Sequence, residues 1–439
     1  MVARGGRIQA SLLVAVILIA LAGAVLRSTA LAGLAAAWTA LLLASRARAL
    51  RQARVLTADR AVPSSGLEDE AVPVEIALDN RGRRAALFTE ILDDFGPALA
   101  DRQALLEPGP LPAGRRRHLR YRTACSRRWG MYTVGPLRLT TGDPFGLFRA
   151  VVHLTPPAPF AVFPRLVEMT ALFRLGGAPS LAPQERAEAR AGQGALVLGV
   201  RDYRAGDDVR RMHWPAFARR GSPAVRELER DLLPYLTLFL DLAKGHRAGT
   251  GLKSTIEYLV RTTASALWSA SRRGDLAQLF AEGAAATFVP PGRGVAHLAD
   301  ALYELIRVRQ EGSTDLLDLV ERHRPQVPAR STVVILSGTT ALDEVRLGLL
   351  LDAFATRSVT VAVLAMEADS FLPIDRLASS VEVVRARRRA LLALLRDHGT
   401  AGAVLGSEDD LPTTLARADL LDAPWAENPS HAGRAEARW

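Results

Sequence analysis

Two uncharged apolar runs near the amino terminus constrain this chain more than any other feature of its sequence. The first covers residues 8–26, and the second follows Arg27 and covers residues 28–44. A helix rises about 1.5 Å per residue, so the first run crosses a hydrocarbon layer of roughly 30 Å, and the second is only slightly short. We therefore predict two transmembrane helices over residues 8–44, with the bilayer lipid as a partner.

Arginines flank this hairpin on both sides, at Arg4, Arg7, Arg46, Arg48, Arg51 and Arg54. Positively charged flanks stay on the cytoplasmic side of a membrane. The sequence thus predicts a multi-pass protein of the cell membrane with two helices, whose soluble body is cytoplasmic.

Two other interpretations of the apolar runs are a cleaved signal peptide and a buried helical hairpin of a globular domain. A basic start followed by one apolar stretch is typical of a signal peptide, but the second run argues against it. Leu, Ala and Val occupy all faces of both runs without a polar stripe, which argues against a globular hairpin. The membrane anchor is the favoured interpretation.

Composition indicates a folded body behind the anchor. Hydrophobic residues make up 49% and charged residues 23% of the 439 residues, which suits two soluble domains rather than disorder. Cys125 is the only cysteine, so an internal disulfide and a cysteine-built metal cluster are excluded.

The chain carries a net charge of +10, spread in arginine clusters. Such a surface attracts either anionic lipid headgroups or nucleic acid. No alternation of arginine with aromatic residues and no nucleic-acid motif occurs, so we favour lipid and expect no nucleic-acid partner.

The pattern of the sequence divides the rest of the chain into four parts. Residues 69–165 show short alternating runs and turns, which predict an antiparallel β-sandwich of immunoglobulin-like fold. Residues 175–231 hold a linker, at 175–193, and a dense polar motif. Residues 232–411 alternate strands and helices, with strands expected at 331–337, 359–365 and 381–384, and predict an α/β domain with a mostly parallel sheet. Residues 412–439 form a polar tail.

The polar motif has a specific spacing, formed by Arg201, Tyr203, Gly206, Asp207, Arg210, Trp214 and Arg219. Glu227 and Glu229 follow on a strand. A second block covers residues 128–136 and 143–148. In this block Trp129 precedes Gly130, where the family named below usually has an arginine. Together with the anchor, these blocks resemble the proteins of the domain of unknown function 58 family over most of the chain.

This resemblance implies a von Willebrand factor A-like domain at the carboxyl side of the chain. It also implies a membrane protein that is often paired with MoxR-type AAA+ ATPases. No settled biochemical activity comes with the family.

The motif itself has two interpretations. Its arginines can form bidentate ion pairs with Glu227, Glu229 or Asp231, which is a structural network. Alternatively, guanidinium and indole groups favour interface hot spots, so the same residues form a docking surface for a partner. Both can hold at once.

Metal chemistry is not expected. Factor A-like domains bind a divalent cation through Asp-x-Ser-x-Ser, but the matching stretch here reads Asp241-Leu242-Ala243-Lys244-Gly245, and the later acid position is Gly338. Mg²⁺ needs several oxygen ligands. Asp241 is thus a vestigial position, and we predict no metal and no other cofactor.

The sequence favours a non-enzymatic, membrane-anchored adaptor that binds proteins at the cytoplasmic face, with a MoxR-type ATPase as the expected partner. No catalytic residues are predicted, because no nucleophile elbow or zinc-protease spacing occurs. The alternative is a metal-dependent ligand-binding protein or hydrolase that uses Asp241 and nearby acids.

Overall fold

The computed structural model describes residues 2–4, 7–87, 89–99, 102–106, 109–169, 197–203, 212–228, 234–372 and 381–416. The chain divides into two compact units, Met1–Arg165 and Leu166–Trp439. The first holds the amino-terminal helices and a β-sandwich, and the second holds an α/β domain.

Helix α1 (Arg7–Val25) and helix α2 (Thr29–Val55) are joined by a three-residue turn. A Cβ at Gly23 would lie 3.0 Å from the backbone nitrogen of Ala32, so this glycine lets the helices approach closely. Helix α2 is long and apolar enough to cross a membrane, whereas the apolar stretch Ala10–Val25 is shorter. The chain therefore has one amino-terminal helix that meets the requirement for a membrane span.

Helix α2 continues eleven residues past the predicted end of the anchor at Ala44, up to Val55. The added turns are amphipathic, because Ala49 and Ala53 are buried with Ala150 of the sandwich. Strand β2 (Leu56–Ala61) begins at the very next residue. The helix thus enters the sandwich without a linker.

A buried glutamine side chain fixes this junction. The Gln52 amide donates to the carbonyl of Leu87 (2.8 Å) and to the hydroxyl of Thr141. The Thr141 hydroxyl in turn donates to the same carbonyl. Satisfied polar groups in a buried contact define one geometry, so the last turns of α2 have a fixed position on the sandwich.

The sandwich contains ten described strands, of which three lie before its predicted range. They are β1 (Val2–Arg4), β2, β3 (Ser65–Leu67), β4 (Ala71–Asn80), β5 (Glu90–Phe95), β6 (Arg102–Leu106), β7 (Arg116–Ala124), β8 (Gly130–Gly142), β9 (Arg149–Thr155) and β10 (Ala158–Phe163). One sheet has the order β2-β4-β7, and the other runs β1-β9-β8-β10-β3, with β5 pairing β8 and β6. Their facing side chains form one core that includes Ile76, Phe95 and Phe160.

The prediction that the sandwich begins at residue 69 needs correction, because β2 and β3 already belong to its sheets. Strand β2 pairs with β4 from Leu56↔Asn80 to Ala61↔Glu75. These early strands are hard to recognise, since β2 follows helix α2 directly and β3 is only three residues long.

A buried ion pair links the two sheets. The Arg60 guanidinium lies 2.7 Å from Asp93, and the two side chains are 4% and 0% exposed. Arg60 also donates to the carbonyl of Val134 (3.0 Å), and the Tyr121 hydroxyl donates to the second oxygen of Asp93 (2.7 Å). Burial beside Asp93 raises the pKa of the Tyr121 phenol, so this hydroxyl stays a donor.

The second unit contains a small element of two strands and one helix. Strands β11 (Val197–Asp202) and β12 (Ala224–Leu228) form an antiparallel pair, and helix α3 (Trp214–Arg220) lies between them in sequence. A proline at the start of α3 and Gly221 in the left-handed conformation delimit the helix.

The α/β domain follows. Its strands are β13 (Tyr235–Leu240), β14 (Gly249–Thr250), β15 (Lys253–Ser254), β16 (Leu276–Glu282), β17 (Ala286–Gly292), β18 (Thr332–Gly338), β19 (Thr360–Met366) and β20 (Ala401–Leu405). Its helices are α4 (Thr255–Arg273), α5 (Gly294–Leu305), α6 (Leu316–His323), α7 (Glu344–Ala355), α8 (Val381–Asp397) and α9 (Leu411–Ala416).

Six of these strands form one sheet with the order β17-β16-β13-β18-β19-β20. All neighbouring pairs are parallel except β16 with β17. Helices α6, α7 and α8 pack on one face, around Phe239, Ile335 and Val363, and α4 contacts β13, β16, β18 and β19. This is the mostly parallel sheet that the alternation of strands and helices predicts.

Two predictions inside this unit need correction, and one strand of it was not predicted. Residues 381–384, expected as a strand, form the first turn of α8, because the arginines that follow continue the helical pattern. Strand β20 was not expected, since its alanines and glycine carry little strand signal. The described start of the expected tail, residues 412–416, is helical, with Leu415 buried. The predicted linker at 175–193 lies outside the described residues.

Candidate functional site

The order of the strands creates a crevice at the carboxyl ends of β13 and β18. From β13 the chain proceeds to β16 on one side, and later to β18 on the other side. Ligands of open α/β sheets bind at such a switch point, outside the carboxyl ends of the strands. Asp241 follows β13 directly, and Ser337 lies near the end of β18.

Asp241 is the centre of a compact hydrogen-bond cluster and is only 1% exposed. One carboxylate oxygen accepts the backbone N–H of Ala243 (3.0 Å). The other accepts the hydroxyl of Ser337 (2.6 Å) and lies 2.8 Å from Nδ1 of His246. Three groups of the chain are therefore hydrogen-bonded to this carboxylate. Its position is the one that the sequence predicts to be a vestigial metal site.

His246 is the basic side chain of this cluster. Its hydrogen bond to Asp241 raises the pKa of the imidazole, while partial burial opposes the shift. Asp315 contributes a further attraction. A protonated His246 beside the Asp241 carboxylate forms a neutral pair at the point where a metal-binding domain would hold its cation.

Ser337 and His246 contact the same oxygen of Asp241. The Ser337 hydroxyl donates to this oxygen, and Nδ1 of His246 lies within hydrogen-bond distance of it. This differs from the arrangement of a serine–histidine pair, in which the serine hydroxyl is hydrogen-bonded to the histidine.

The remaining positions of the expected metal site add no oxygen ligand. Lys244 is exposed, and Gly338 has the carbonyl of His246 as its nearest neighbour, at 3.7 Å from an added Cβ. Among the residues that the structure describes, no group of three or more His, Cys, Asp or Glu side chains is placed to hold a metal. The prediction of no functional metal stays a prediction.

The structure brings two parts of the polar motif together on strand β12. Arg201 and Met212 both pair with Val225, one from β11 and the other through an isolated bridge. The backbone N–H of Tyr203 donates to Pro223 (2.9 Å), and that of His213 donates to Ala224 (2.8 Å). Both ends of the motif thus converge on the same strand.

Aromatic side chains of the motif face solvent. Trp214 is 60% exposed and Tyr203 is 36% exposed. The Trp214 ring packs edge-on against Phe217, with 6.2 Å between the centroids. Arg219 is also exposed, on the last turns of α3. Exposed aromatic and arginine side chains are the composition of an interface, so this surface is a candidate for docking.

The rest of the motif lies outside the described residues. This applies to Gly206, Asp207 and Arg210, and also to Glu229 and Asp231. The side chains of Arg201 and Glu227 are likewise not described. The ion network predicted for these residues therefore stays a prediction.

Sequence reasoning missed three residues of these sites. His213 caps helix α3, because its Nδ1 accepts the N–H of Ala216 (3.1 Å). His246 and Ser337 complete the Asp241 cluster. A signal for His246 exists, since it lies five residues after Asp241, whereas Ser337 comes from a distant strand and only the fold brings it close.

Two solved structures illustrate what parts of this chain are similar to. The CARDB domain of PF1109 from Pyrococcus furiosus is similar at 16% identity, over 25% of this chain and 94% of that chain, with a TM-score of 0.19. The DNA glycosylase AlkC of Pseudomonas fluorescens is similar at 13% identity, over 26% of this chain and 35% of that chain, with a TM-score of 0.17. A comparison with curated protein sequences gives no match.

The family comparison is more specific. The family model described as "Protein of unknown function DUF58" matches residues 199–383. This range contains the polar motif, the Asp241 cluster and the strands from β13 to β19. The match supports the DUF58 family for this part of the chain, in agreement with the resemblance of its polar motif.

Proposed function

We propose that this protein is a non-enzymatic adaptor that is anchored in the cell membrane and binds other proteins at the cytoplasmic face. The observation that carries the proposal is the Asp241 cluster. Its carboxylate is engaged by Ala243, Ser337 and His246, which supports a structural role for the crevice of the α/β domain over a catalytic one.

The anchor supports the membrane part of the proposal. Helix α2 meets the length and polarity of a span. Strand β1 precedes α1 and pairs with β9 of the sandwich, which α2 also contacts. Both ends of the helix pair thus meet the same domain, as expected of a two-helix hairpin that returns to one side. The flanking arginines favour the cytoplasmic side.

The strand order of the α/β domain supports a von Willebrand factor A-like fold. We propose that this domain and the sandwich act as binding modules. The surface around Tyr203, Trp214 and Arg219 is the expected contact, because exposed aromatic and arginine side chains dominate interface energetics. The partner that the family resemblance suggests is a MoxR-type AAA+ ATPase.

A site-specific photocrosslinking experiment tests this contact. A photoreactive phenylalanine analogue replaces Trp214 in the full chain, expressed in its native membrane. We expect a crosslinked band that contains an AAA+ ATPase. The matched control places the same analogue at Phe288, which is also aromatic and 50% exposed but lies on the edge strand β17. Equal crosslinking at both positions, or none at Trp214, contradicts the proposed surface.

The alternative function is a metal-dependent ligand-binding protein or hydrolase that uses Asp241. A divalent cation would have to displace the imidazole of His246 from the carboxylate. Calorimetric titration with Mg²⁺ distinguishes the two functions. Micromolar binding that is lost in the Asp241→Ala variant would support the alternative, whereas no heat of binding supports the adaptor.

A further inference from the structure

The turn between β8 and β9 presents an apolar tip in a fixed shape. The Asp143 side chain is fully buried and accepts the N–H groups of Phe145 (3.0 Å) and Phe148 (2.6 Å). Gly146 closes the turn with a positive φ of 69° and donates its N–H to the Asp143 carbonyl. At the tip, Phe145 is 64% exposed. A turn fixed by these hydrogen bonds thus presents a phenyl ring to the surroundings.

The register of the sandwich shows which way this turn points. Arg4 of β1 pairs with Arg149, and the chain then continues from Arg4 into helix α1. Strand β9 runs in the opposite direction, away from the helices, so the turn that precedes Arg149 lies on the side where the helices leave the sandwich. Ala49 of α2 packs with Ala150. Ala49 is five residues beyond Ala44, roughly 7 Å along the helix axis.

The same end of the sandwich carries a concentration of positive charge. Its exposed arginines are Arg46, Arg51, Arg54, Arg81, Arg83, Arg84, Arg115 and Arg149. The loops that hold them adjoin the end of α2, because the N–H of Arg81 donates to the Val55 carbonyl (2.9 Å) and Asn80 donates to the carbonyl of Arg115 (3.0 Å).

Acidic groups do not cancel this charge. Asp79 is engaged by Arg116 in a two-bond ion pair, and Asp143 is buried in its turn. Of the other acids near this end, Glu90 is half-buried and Asp59 lies further along β2. The exposed arginines at the helix-proximal end of the sandwich therefore outnumber the exposed acids there.

We propose that this helix-proximal end of the sandwich is a second membrane contact, in which Phe145 inserts at the headgroup level and the surrounding arginines bind anionic lipid phosphates. The inference rests on the proposed anchor, because α2 must cross the bilayer for the turn to reach it. Aromatic and leucine side chains insert about 5–10 Å into the interface, and each nearby arginine adds electrostatic attraction to an anionic leaflet.

Spin labelling in lipid nanodiscs tests the insertion. A nitroxide is attached at position 145 in the Phe145→Cys variant of the full chain. Native Cys125 does not interfere, because it is fully buried and burial raises the pKa of its thiol to about 11. In nanodiscs that contain phosphatidylglycerol, we expect the label at 145 to be more accessible to oxygen than to a water-soluble nickel complex.

Two further labelled variants serve as matched controls. Met131→Cys places the label at the opposite end of β8, at a residue that is 45% exposed, and we expect several-fold greater nickel accessibility there. Leu34→Cys reports on α2. In one outcome the label at 34 lies in hydrocarbon while the label at 145 is as accessible to nickel as the one at 131. That result overturns the second membrane contact but leaves the anchor intact. A label at 34 in water overturns the anchor.

The arginine contribution is tested with the same label at position 145. Glutamine substitutions at Arg81, Arg83 and Arg84 remove the charge but keep a polar side chain. We expect them to reduce the oxygen preference in phosphatidylglycerol nanodiscs, as should replacement of this lipid by phosphatidylcholine. An unchanged oxygen preference in both experiments contradicts the binding of anionic headgroups.

Discussion

The Ser337 hydroxyl lies 2.6 Å from the Asp241 carboxylate and donates a hydrogen bond to it, although the two are 96 residues apart in sequence. This bond joins the carboxyl ends of two central parallel strands. It makes Asp241 a structural residue of the crevice, and it is the reason that substitutions there are expected to affect stability first.

Replacing Asp241 by asparagine should destabilise the α/β domain by about 3 kcal/mol. The buried carboxylate accepts three hydrogen bonds, and an amide in its place cannot accept from all three donors, which leaves the charge of His246 uncompensated. Hydrogen exchange of β13 and β18 in the detergent-solubilised chain measures this change. The control is Lys244→Ala, at an exposed neighbour, which should change the protection by less than about 0.5 kcal/mol.

The stability contributed by His246 should fall as the pH rises. Its pKa is raised in the folded protein, so folding favours the protonated imidazole. The contribution is therefore complete below the unfolded value of about 6.5 and is lost as the pH passes through the higher folded value. Comparison of the unfolding free energy of the native chain with that of His246→Gln, over this pH range, checks the sign. A difference that grows with pH would contradict it.

Loss of the Arg60 guanidinium should destabilise the sandwich by about 3–5 kcal/mol. The reason is that Arg60→Met leaves Asp93 buried without its charged partner. The double variant Arg60→Met with Asp93→Leu should recover part of this loss. Hydrogen exchange in strand β5 measures both. The control is Arg122→Met on the exposed face of β7, for which we expect almost no change.

The junction between α2 and the sandwich should depend on Gln52. Gln52→Ala removes two buried hydrogen bonds, to Leu87 and Thr141, and should cost about 1–3 kcal/mol of local stability. Amide exchange in the last turns of α2 is expected to accelerate accordingly. Arg51→Ala, one residue away and exposed, provides the matched control. Similar exchange in both variants would show that the glutamine does not hold the junction.

The elements with a strong hydrophobic period could be predicted from the sequence. Strands such as β13 and β18 are continuous apolar runs with few alternatives, and the strand expected at 331–337 is within one residue of the bounds of β18. Strand β20 and the first turn of α8 could not be assigned, because alanine and glycine suit either state, and packing on neighbouring strands decides their conformation.

The candidate site was predictable only in part. Asp241 stands out as a surviving carboxylate at the end of a strand, and the spacing of the polar motif identifies Trp214. The pairing of Asp241 with Ser337 and His246 depends on the register of parallel strands and on the short turn at Lys244–His246, neither of which a local pattern encodes. The helical cap made by His213 is likewise visible only in three dimensions.

The direct passage from Val55 of α2 to Leu56 of β2 leaves no flexible linker between helix α2, the proposed membrane anchor, and the sandwich. The tilt of a transmembrane helix depends on the thickness of the surrounding bilayer. Because Gln52 and the alanines around it lock the helix to the sheet, any change of that tilt reorients the sandwich as a rigid body. Lipid composition would then set the orientation of the sandwich relative to the membrane plane.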